Sequence, residues 1–186
     1  TAGRGFEATM ATFLRKESEV SAHLLIGIDG QIVQLVPFNK KAWHAGNSSW
    51  KELTGLNGLS IGIELDNFGK LTRMADGTWQ TYFGRKVPLE EVVIAKHKHG
   101  KVVGGWHAYT EKQIEALEEV SLALFSTYKL EDVLGHDDIA PGRKMDPGPA
   151  FNMANFRTLL VGRNQDNAGD HDDGHNTISS SLRSYK

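Results

Sequence analysis

The sequence of 186 residues contains no cysteine. Disulfide bonds and thiolate zinc sites are therefore excluded. The same absence does not decide the cellular compartment, because disulfides are common outside the cytosol but are not required there.

The chain also lacks a strong excess of either charge and any long apolar run. Its formal net charge is -2 and its pI is about 6.4, so no basic face is expected to bind nucleic acid or an anionic membrane. No apolar stretch approaches the roughly 20 residues of a membrane-spanning helix. With 39% hydrophobic residues, the chain is long enough for one domain with a sizeable core. We expect a monomer with no nucleic-acid partner and no membrane span.

The stretch from Val133 to Pro149 is the strongest candidate for chemistry. An apolar run leads to His136 at the end of a predicted strand, and a loop stiffened by prolines and glycines then leads to Lys144 and Asp146. Imidazole nitrogen and carboxylate oxygen both suit zinc, and a catalytic zinc ion usually has three protein ligands and a water. This stretch would supply two of the three ligands, and Lys144 would stabilise charge on a substrate oxygen. On its own, this spacing is weak support for a metal site.

A second candidate residue, Glu64, lies in a short predicted strand over residues 60–65. Side chains alternate along a strand, so Gly62 and Glu64 point to the face opposite Ile61 and Ile63. A carboxylate on an apolar strand is costly unless it is paired or has a function.

A loop predicted over residues 40–51 contains Trp43, His44 and Trp50. Two tryptophans beside a histidine fit a wall that binds a ligand, and they fit equally well a cover over the core. The sequence leaves both interpretations open.

Strand and helix patterns alternate along the chain, which predicts an α/β single domain with a mixed central β-sheet flanked by α-helices. Helices are predicted at 6–16, 110–128 and 153–161. Thr110 and Gln113 match a capping box at the start of the second helix, and Asn152 is a suitable N-cap for the third.

Asp29-Gly30 between two apolar runs predicts a β-hairpin with positive φ at both turn positions. The second strand of this hairpin, within residues 31–38, has apolar residues on both faces, so we expect it inside the sheet. Residues 67–107 are interpreted as a long excursion with a short hairpin around 78–83, and His97 to His99 as a solvated charged turn.

Taken together, these segments resemble the type 2 N-acetylmuramoyl-L-alanine amidase family, which is related to phage lysozyme-amidases and peptidoglycan recognition proteins. The similarity covers roughly residues 1–68 and 107–161, and its motifs occur in the family's order. The matching motifs are Thr1-Ala2-Gly3, Val20-Ser21-Ala22-His23, Gly27-Ile28-Asp29-Gly30, Val36-Pro37-Phe38, Ala42-Trp43-His44-Ala45-Gly46, Ser60-Ile61-Gly62-Ile63-Glu64-Leu65, and Gly135-His136 through Phe151. The similarity is greatest to the subgroup that cleaves anhydro-muropeptides in the bacterial cytoplasm.

The resemblance implies a role for each candidate residue. His136 and Asp146 would be zinc ligands, Glu64 the general base, and Lys144 the group that stabilises the oxyanion. The substrate would be bound by Trp43, by His44, and by Arg143 unless that arginine is simply a solvated loop residue.

The resemblance also implies a third zinc ligand that precedes the sequence. In the family this ligand is a histidine two positions before a threonine–alanine pair like Thr1-Ala2. We therefore expect it upstream of Thr1, on an omitted N-terminal strand. The zinc amidase domain is predicted over residues 1–162, with a long insertion at about 68–107, followed by a polar tail or linker at 163–186.

The function implied is zinc-dependent hydrolysis of the amide between N-acetylmuramic acid, or its anhydro form, and L-alanine in peptidoglycan or muropeptides. The alternatives are a non-catalytic peptidoglycan-binding module without a complete zinc site and, more distantly, another zinc hydrolase on a similar sheet. The sequence departs from the family at Asp137, where relatives often have a small residue, and in the length of the 67–107 segment. That length leaves the choice of substrate open. The resemblance favours the cytoplasm, while a secreted enzyme or phage lysin is also compatible with the polar tail.

Overall fold

A computed structural model describes residues 4–162 of the chain, so Thr1, Ala2 and the predicted polar tail lie outside the described residues. The helices and strands, in chain order, are α1 (Phe6–Leu14), β1 (Leu24–Ile26), β2 (Ile32–Gln34), β3 (Ser49–Trp50), β4 (Leu53–Thr54), β5 (Ile63–Leu65), β6 (Lys70–Arg73), β7 (Trp79–Gln80), β8 (Lys86–Val87), β9 (Val92–Lys96), β10 (Val103–His107), α2 (Glu111–Thr127), α3 (His136–Ile139) and α4 (Met153–Arg157). Short 3₁₀ turns occur at Lys16–Ser18, Leu56–Gly58 and Leu89–Glu91, and a π-helical turn follows α4 at Thr158–Gly162. In the described part of the chain, no helix is both long and apolar enough to span a bilayer.

The sheet that carries Glu64 has the strand order β2-β1-β5. Strand β1 pairs antiparallel with β2 and parallel with β5, and places Leu25 opposite Glu64. The predicted mixed α/β fold is therefore confirmed. The prediction that the second hairpin strand is interior is wrong, because β2 lies at the edge of the sheet with Ile32 and Gln34 exposed. Apolar residues on both faces of a strand did not indicate burial here.

The hairpin at Asp29-Gly30 is confirmed, but its turn differs from the predicted one. The amide of Gly30 donates to the carbonyl of Gly27 at 3.0 Å, so Ile28 and Asp29 occupy the central positions. Of the two predicted turn residues only Gly30 has a positive φ, at 86°. Asp29 instead accepts a hydrogen bond from the amide of Gln31 at 3.1 Å, which stabilises the turn from its side chain.

Helix α2 is tied to the sheet by a buried glutamine. The hydroxyl of Thr110 caps the helix by accepting from the amide of Gln113 at 3.2 Å, as predicted. The side chain of Gln113 does not complete a capping box, because its amide nitrogen donates to the carbonyls of Ile26 and Asp66, each at 3.0 Å. These two carbonyls lie at the ends of the parallel strands, so Gln113 gives the buried backbone there additional hydrogen bonds and joins α2 to both strands.

The main apolar core lies where α2 and α4 meet the three-stranded sheet. Its buried members are Ile26, Leu65, Leu117, Phe125, Phe151, Phe156 and Leu160. A smaller cluster under the 42–46 loop consists of Ala45, Leu56, Ile139 and Ala140. The run before His136 is not the predicted strand: Val133 packs against the main core and Leu134 against the small cluster, while His136 begins α3. An apolar run can thus be buried between two clusters without pairing with a strand.

The predicted excursion over residues 67–107 forms a second, antiparallel sheet with the order β8-β7-β6-β10-β9. The predicted hairpin around 78–83 corresponds to β7 and β8 and the connection between them. The side chain of Trp79, on β7, packs over Gly105 of β10, where an added Cβ would lie 2.4 Å from the indole ring. The connection between β9 and β10 contains His97, Lys98 and His99, and it faces the loop that carries the candidate ligands.

His44 fits into a space that exists because residue 62 is glycine. A Cβ at Gly62 would lie 2.3 Å from Cγ of His44 and 2.5 Å from its Cδ2. The amide of Gly62 donates to Nδ1 of His23 at 2.9 Å, and Nε2 of the same imidazole donates to the carbonyl of Lys40 at 2.9 Å. The imidazole of His23 therefore links Gly62, just before β5, to the segment that leads into the 42–46 loop. Strand β5 and the 42–46 loop are held together along the face that bears Glu64.

Replacing Gly62 by alanine is expected to displace the His44 ring, because the new methyl group would overlap it. Overpacking of this kind costs about 1–3 kcal/mol of unfolding free energy, measurable by chemical denaturation. Gly58→Ala is the matched control, since a Cβ there meets no atom within 4 Å and should change stability by less than about 0.5 kcal/mol. Equal effects of the two substitutions would contradict the packing described here.

His44 is expected to remain neutral down to acidic pH. Burial first, and then the neighbouring His136 and His23, lower the pKa of His44 from 6.5 to about 4, although Glu64 and Ser60 act in the opposite direction. The unfolded chain therefore binds a proton on this residue at a higher pH than the folded chain. Stability should rise with pH between about 4 and 6.5, by at most about 3 kcal/mol from this residue.

A His44→Gln variant should lack this part of the pH dependence. The difference in unfolding free energy between wild type and variant should be larger at pH 7 than at pH 4. A His44 titration midpoint near 6.5, measured by NMR, would refute the assignment.

Candidate active site

His136 and Asp146 come together although ten positions separate them. Nδ1 of His136 lies 2.5 Å from Oδ2 of Asp146, and each side chain is 14% exposed. The loop between them is closed by a hydrogen bond from the amide of Asp137 to the carbonyl of Asp146 at 2.8 Å. An imidazole and a carboxylate thus meet at a mostly buried point that still reaches solvent.

The start of α3 determines the direction in which His136 points. The amide of Gly135 donates to Oδ2 of Asp138 at 2.8 Å, so an acidic side chain in the first turn satisfies the backbone just before the helix. An added Cβ at Gly135 would lie 2.5 Å from both Asp137 Oδ1 and Pro147 Cδ. Glycine is therefore required for the two ends of the loop to pack this closely.

Asp146 is held in its charged form. Burial alone would raise its pKa, but the hydrogen bond with His136 outweighs burial and keeps the pKa of Asp146 well below its ordinary value. A carboxylate in this form is a suitable ligand for a metal ion.

Glu64 approaches the same imidazole from its other nitrogen. Oε1 of Glu64 lies 4.0 Å from Nε2 of His136, and the side chain is 11% exposed. Strand β5 directs this carboxylate to the face that also holds Gly62 and the ring of His44. Three of the predicted site residues, Glu64, His136 and Asp146, therefore form one cluster.

The donor atoms at this point fit a divalent metal ion in part. His136 Nδ1 and Asp146 Oδ2 are close enough to contact a common atom, and both are donors that zinc accepts. Within residues 4–162, no group of three or more histidine, cysteine, aspartate or glutamate side chains is arranged to hold a metal ion. The described residues thus bring two suitable donors together at one point, whereas a catalytic zinc site usually has three protein ligands.

Lys144 and Arg143 lie on the same loop in different settings. Lys144 is half-buried two residues before Asp146, and its amide donates to the carbonyl of Ala140 at 2.9 Å. The guanidinium of Arg143 donates to the carbonyls of Ala45 and Asn47, each at 2.7 Å from Nη2. Arg143 is thus not merely solvated, because it joins the site loop to the 42–46 loop.

The 42–46 loop lies beside the cluster and presents Trp43 to solvent. The Trp43 side chain is 55% exposed, and the ammonium of Lys41 lies 4.0 Å from the centre of its ring. Two hydrogen bonds join the backbone of Trp43 to Ser21. The amide of Trp43 donates to the hydroxyl of Ser21 at 2.9 Å, and the carbonyl of Trp43 accepts from the amide of Ser21 at 3.0 Å. An aromatic surface is therefore held rigidly at one side of the site.

The turn of residues 97–99, predicted to be solvated, is solvated only in part: Lys98 and His99 are exposed, but His97 is buried and the turn contacts the site loop. His97 is 6% exposed and stacks on Trp106 at 5.5 Å between ring centres. Lys98 forms ion pairs with Asp137 at 2.8 Å and Asp138 at 2.5 Å. Burial disfavours the charged ammonium, but these two carboxylates outweigh it and raise the pKa of Lys98. The sequence signal, a His-Lys-His triplet, was present but was indistinguishable from a surface turn.

Tyr109 is a further residue near the site that the sequence did not indicate. Its hydroxyl donates to the carbonyl of Pro147 at 3.0 Å. Burial, together with the nearby carboxylates of Asp146, Glu64 and Asp137, raises the pKa of Tyr109. The phenol therefore stays protonated and acts as a fixed donor to the backbone that follows Asp146.

Curated proteins with related sequences are amidases of muropeptides. The 1,6-anhydro-N-acetylmuramyl-L-alanine amidase AmpD of Escherichia coli K12 is 39% identical over 143 residues, which cover 76% of this chain and 58% of that protein. The N-acetylmuramoyl-L-alanine amidase AmiD of the same organism is 36% identical over 157 residues, which cover 78% of this chain and 46% of that protein. The chain thus spans between 46% and 58% of the length of these two relatives.

Solved structures of similar fold include two with bound muropeptides. AmiD from E. coli, in complex with the substrate anhydro-N-acetylmuramic acid-L-Ala-D-gamma-Glu-L-Lys, is similar with a TM-score of 0.63 and 32% identity, covering 83% of this chain and 52% of that chain. AmpDh3 from Pseudomonas aeruginosa, in complex with anhydromuramic pentapeptide, is similar with a TM-score of 0.59 and 28% identity. The similarity covers 83% of this chain and 55% of that chain.

The model of the family described as N-acetylmuramoyl-L-alanine amidase matches residues 1–149, most of the sequence. This match, the sequence similarity and the shared fold show that the chain belongs to the N-acetylmuramoyl-L-alanine amidase family.

Proposed function

We propose that this protein is a zinc-dependent amidase. The bond it hydrolyses joins N-acetylmuramic acid, or its anhydro form, to L-alanine in peptidoglycan or muropeptides. The observation that carries the proposal is the cluster in which His136 contacts Asp146 through one ring nitrogen and faces Glu64 through the other. Family membership supports the same reaction.

His136 and Asp146 would hold the zinc ion, through Nδ1 and a carboxylate oxygen. When bound, zinc acts as a Lewis acid that polarises the substrate carbonyl and makes water a stronger acid. An imidazole nitrogen and a carboxylate oxygen are donors that zinc accepts. Their number within residues 4–162 is smaller than a catalytic zinc site uses.

Glu64 would move the proton during hydrolysis. Its carboxylate takes a proton from the water that attacks the amide carbonyl and delivers it to the alanine nitrogen as the carbon–nitrogen bond breaks. The position of Glu64 on a strand suits this role. Strand β5 pairs with β1, the central strand of the sheet, and this pairing fixes the backbone of β5.

Lys144 would stabilise the negative charge on the carbonyl oxygen. It follows the rigid turn after α3, where its amide is bonded to Ala140. Removal of one donor to such an oxyanion typically raises the barrier by about 3 kcal/mol. The positive charge of lysine suits an oxygen that becomes anionic only during the reaction.

Trp43 and His44 would form one wall of the substrate groove. The exposed face of Trp43 suits a sugar ring, and the neutral imidazole of His44 can donate or accept a hydrogen bond. Arg143 already uses Nε and Nη2 to bind backbone carbonyls. Its contribution to substrate binding would therefore be mainly to hold the 42–46 loop, with any contact to a peptide carboxylate made through Nη1.

The substrates named for the relatives favour anhydro-muropeptides as the class that this chain cleaves. AmpD is named for 1,6-anhydro-N-acetylmuramyl-L-alanine, and AmiD and AmpDh3 were solved with anhydro-muramyl peptides. We infer that a soluble anhydro-muropeptide is the first substrate to test, with intact peptidoglycan as the comparison.

A non-catalytic peptidoglycan-binding module is the second candidate function. The observation in its favour is that residues 4–162 contain only two metal donors of the expected set at one point. Zinc stoichiometry separates the candidates, because two ligands alone would hold the ion poorly.

Glu64→Gln should lower kcat for release of the L-alanyl peptide by about 10²–10⁴-fold, the usual contribution of a general base. The amide of glutamine cannot accept the proton, while the size of the side chain is unchanged. The zinc content should be unaffected. Glu119→Gln, an exposed change on α2, is the control. Full activity of Glu64→Gln would remove Glu64 from the mechanism.

Removal of zinc by a chelator should abolish release of the peptide, and added zinc should restore it. His136→Ala should bind less than one zinc ion per chain, because one of the two described donors is lost. Elemental analysis and chromatographic assay of the peptide check both statements. Undiminished hydrolysis by the metal-free protein would show that the reaction does not use zinc.

A further inference from the structure

The turn of residues 97–99 contacts both ends of the loop that carries His136 and Asp146. At the first end, Nε2 of His99 is 2.8 Å from the carbonyl of Asp137. At the second end, Nε2 of His97 is 3.1 Å from the carbonyl of Met145. These carbonyls belong to the residues directly after His136 and directly before Asp146. One short turn of the second sheet therefore spans the two candidate ligands from behind.

Asp137 is the centre of these contacts. Its side chain is 5% exposed and lies between Nε2 of His97 at 3.1 Å and Nζ of Lys98 at 2.8 Å. The contact between the ammonium of Lys98 and Oδ1 of Asp137 is an ion pair. A carboxylate with so little exposure needs such a partner to remain charged in the folded protein.

Lys98 extends the contact to the cap of α3. Its ammonium lies 2.5 Å from Oδ1 of Asp138, and the other oxygen of that carboxylate accepts from the amide of Gly135 at 2.8 Å. The residues on either side of His136, Gly135 and Asp137, are thus both linked to Lys98. His97 is itself held by stacking on Trp106 of β10.

From this geometry we propose that His97, Lys98 and His99 are positioning residues for the metal-binding loop. They do not touch the substrate. They hold the backbone on both sides of the ligand pair, so that Nδ1 of His136 and Oδ2 of Asp146 stay within reach of one ion. The proposal rests on the proposed zinc site and adds that the second sheet is part of it.

Outer contacts of this kind affect metal affinity because a loop that is free to open loses ligand geometry each time it opens. The effect need not follow overall stability. A purely structural contact would lower the unfolding free energy and leave the affinity of the folded protein unchanged. A positioning contact changes the affinity of molecules that are fully folded.

Lys98→Met is the first test, because methionine keeps most of the aliphatic stem and removes the charge. The affinity of the full chain for zinc alone, measured by competition with a chromophoric chelator, should fall about 10-fold or more, the lower end of the range for such contacts. Lys101→Met is the matched control, since Lys101 lies exposed on the same connection and makes none of these contacts. It should bind zinc as the wild type does. Lys98→Arg should recover most of the lost affinity.

Lys98→Met leaves Asp137 without its ion pair and can therefore unfold the chain. The double variant Lys98→Met/Asp137→Asn removes both charges and should fold while lacking the contact. It should also show weaker zinc binding, and kcat should fall while KM for an anhydro-muropeptide changes little, because the substrate is not contacted.

The imidazole resonances of His136, recorded by NMR on the folded, zinc-free chain, give a readout that does not need the metal. They should shift or broaden in Lys98→Met and in the double variant, and stay unchanged in Lys101→Met. Unaltered His136 resonances and unaltered zinc affinity in the folded variants would overturn the proposal. Failure of the wild type itself to bind zinc would instead overturn the proposed zinc site, and the positioning role with it.

Discussion

The contact between His136 and Asp146 depends on one backbone hydrogen bond, from the amide of Asp137 to the carbonyl of Asp146 at 2.8 Å. This bond joins the residue after His136 to Asp146 itself. Without it, a loop of nine residues would separate the two side chains and their meeting would cost conformational entropy. With it, the two side chains are held next to each other.

Several unrelated parts of the chain stabilise this closed loop. Tyr109 donates to the carbonyl of Pro147, Arg143 joins the loop to the carbonyls of Ala45 and Asn47, and Lys98 pairs with Asp137. Among these, the contacts with Pro147, Ala45 and Asp137 pair polar groups that are partly or fully buried. The site is therefore held by both sheets and by the 42–46 loop.

The two features that were expected from the resemblance to depart from the family pattern meet in the structure. Asp137 is buried, and the segment of residues 67–107 supplies Lys98 and His97, which contact it. A buried carboxylate is costly without such partners. The segment of residues 67–107 is thus in contact with the loop that carries His136 and Asp146.

Elements that depend on neighbours in sequence could be predicted, and those that depend on partners distant in sequence could not. The caps at Thr110 and Asn152 and the hairpin at Gly30 follow from local hydrogen bonding, and they were confirmed. The predictions of a strand before His136, of an interior position for β2 and of a solvated position for His97 were wrong. In each case burial was decided by a partner many residues away.

The sequence by itself determined which residue types are available for chemistry: imidazole, carboxylate and lysine on a rigid loop, and a carboxylate on a strand. It also determined the mixed α/β class, because side-chain periodicity is a local property of the chain. Only the tertiary structure decided that Glu64, His136 and Asp146 converge, that Gly62 makes room for His44, and that Lys98 is paired with Asp137. Distances across a fold arise from packing and from the satisfaction of buried charge, and neither is encoded in the spacing of residues along the chain.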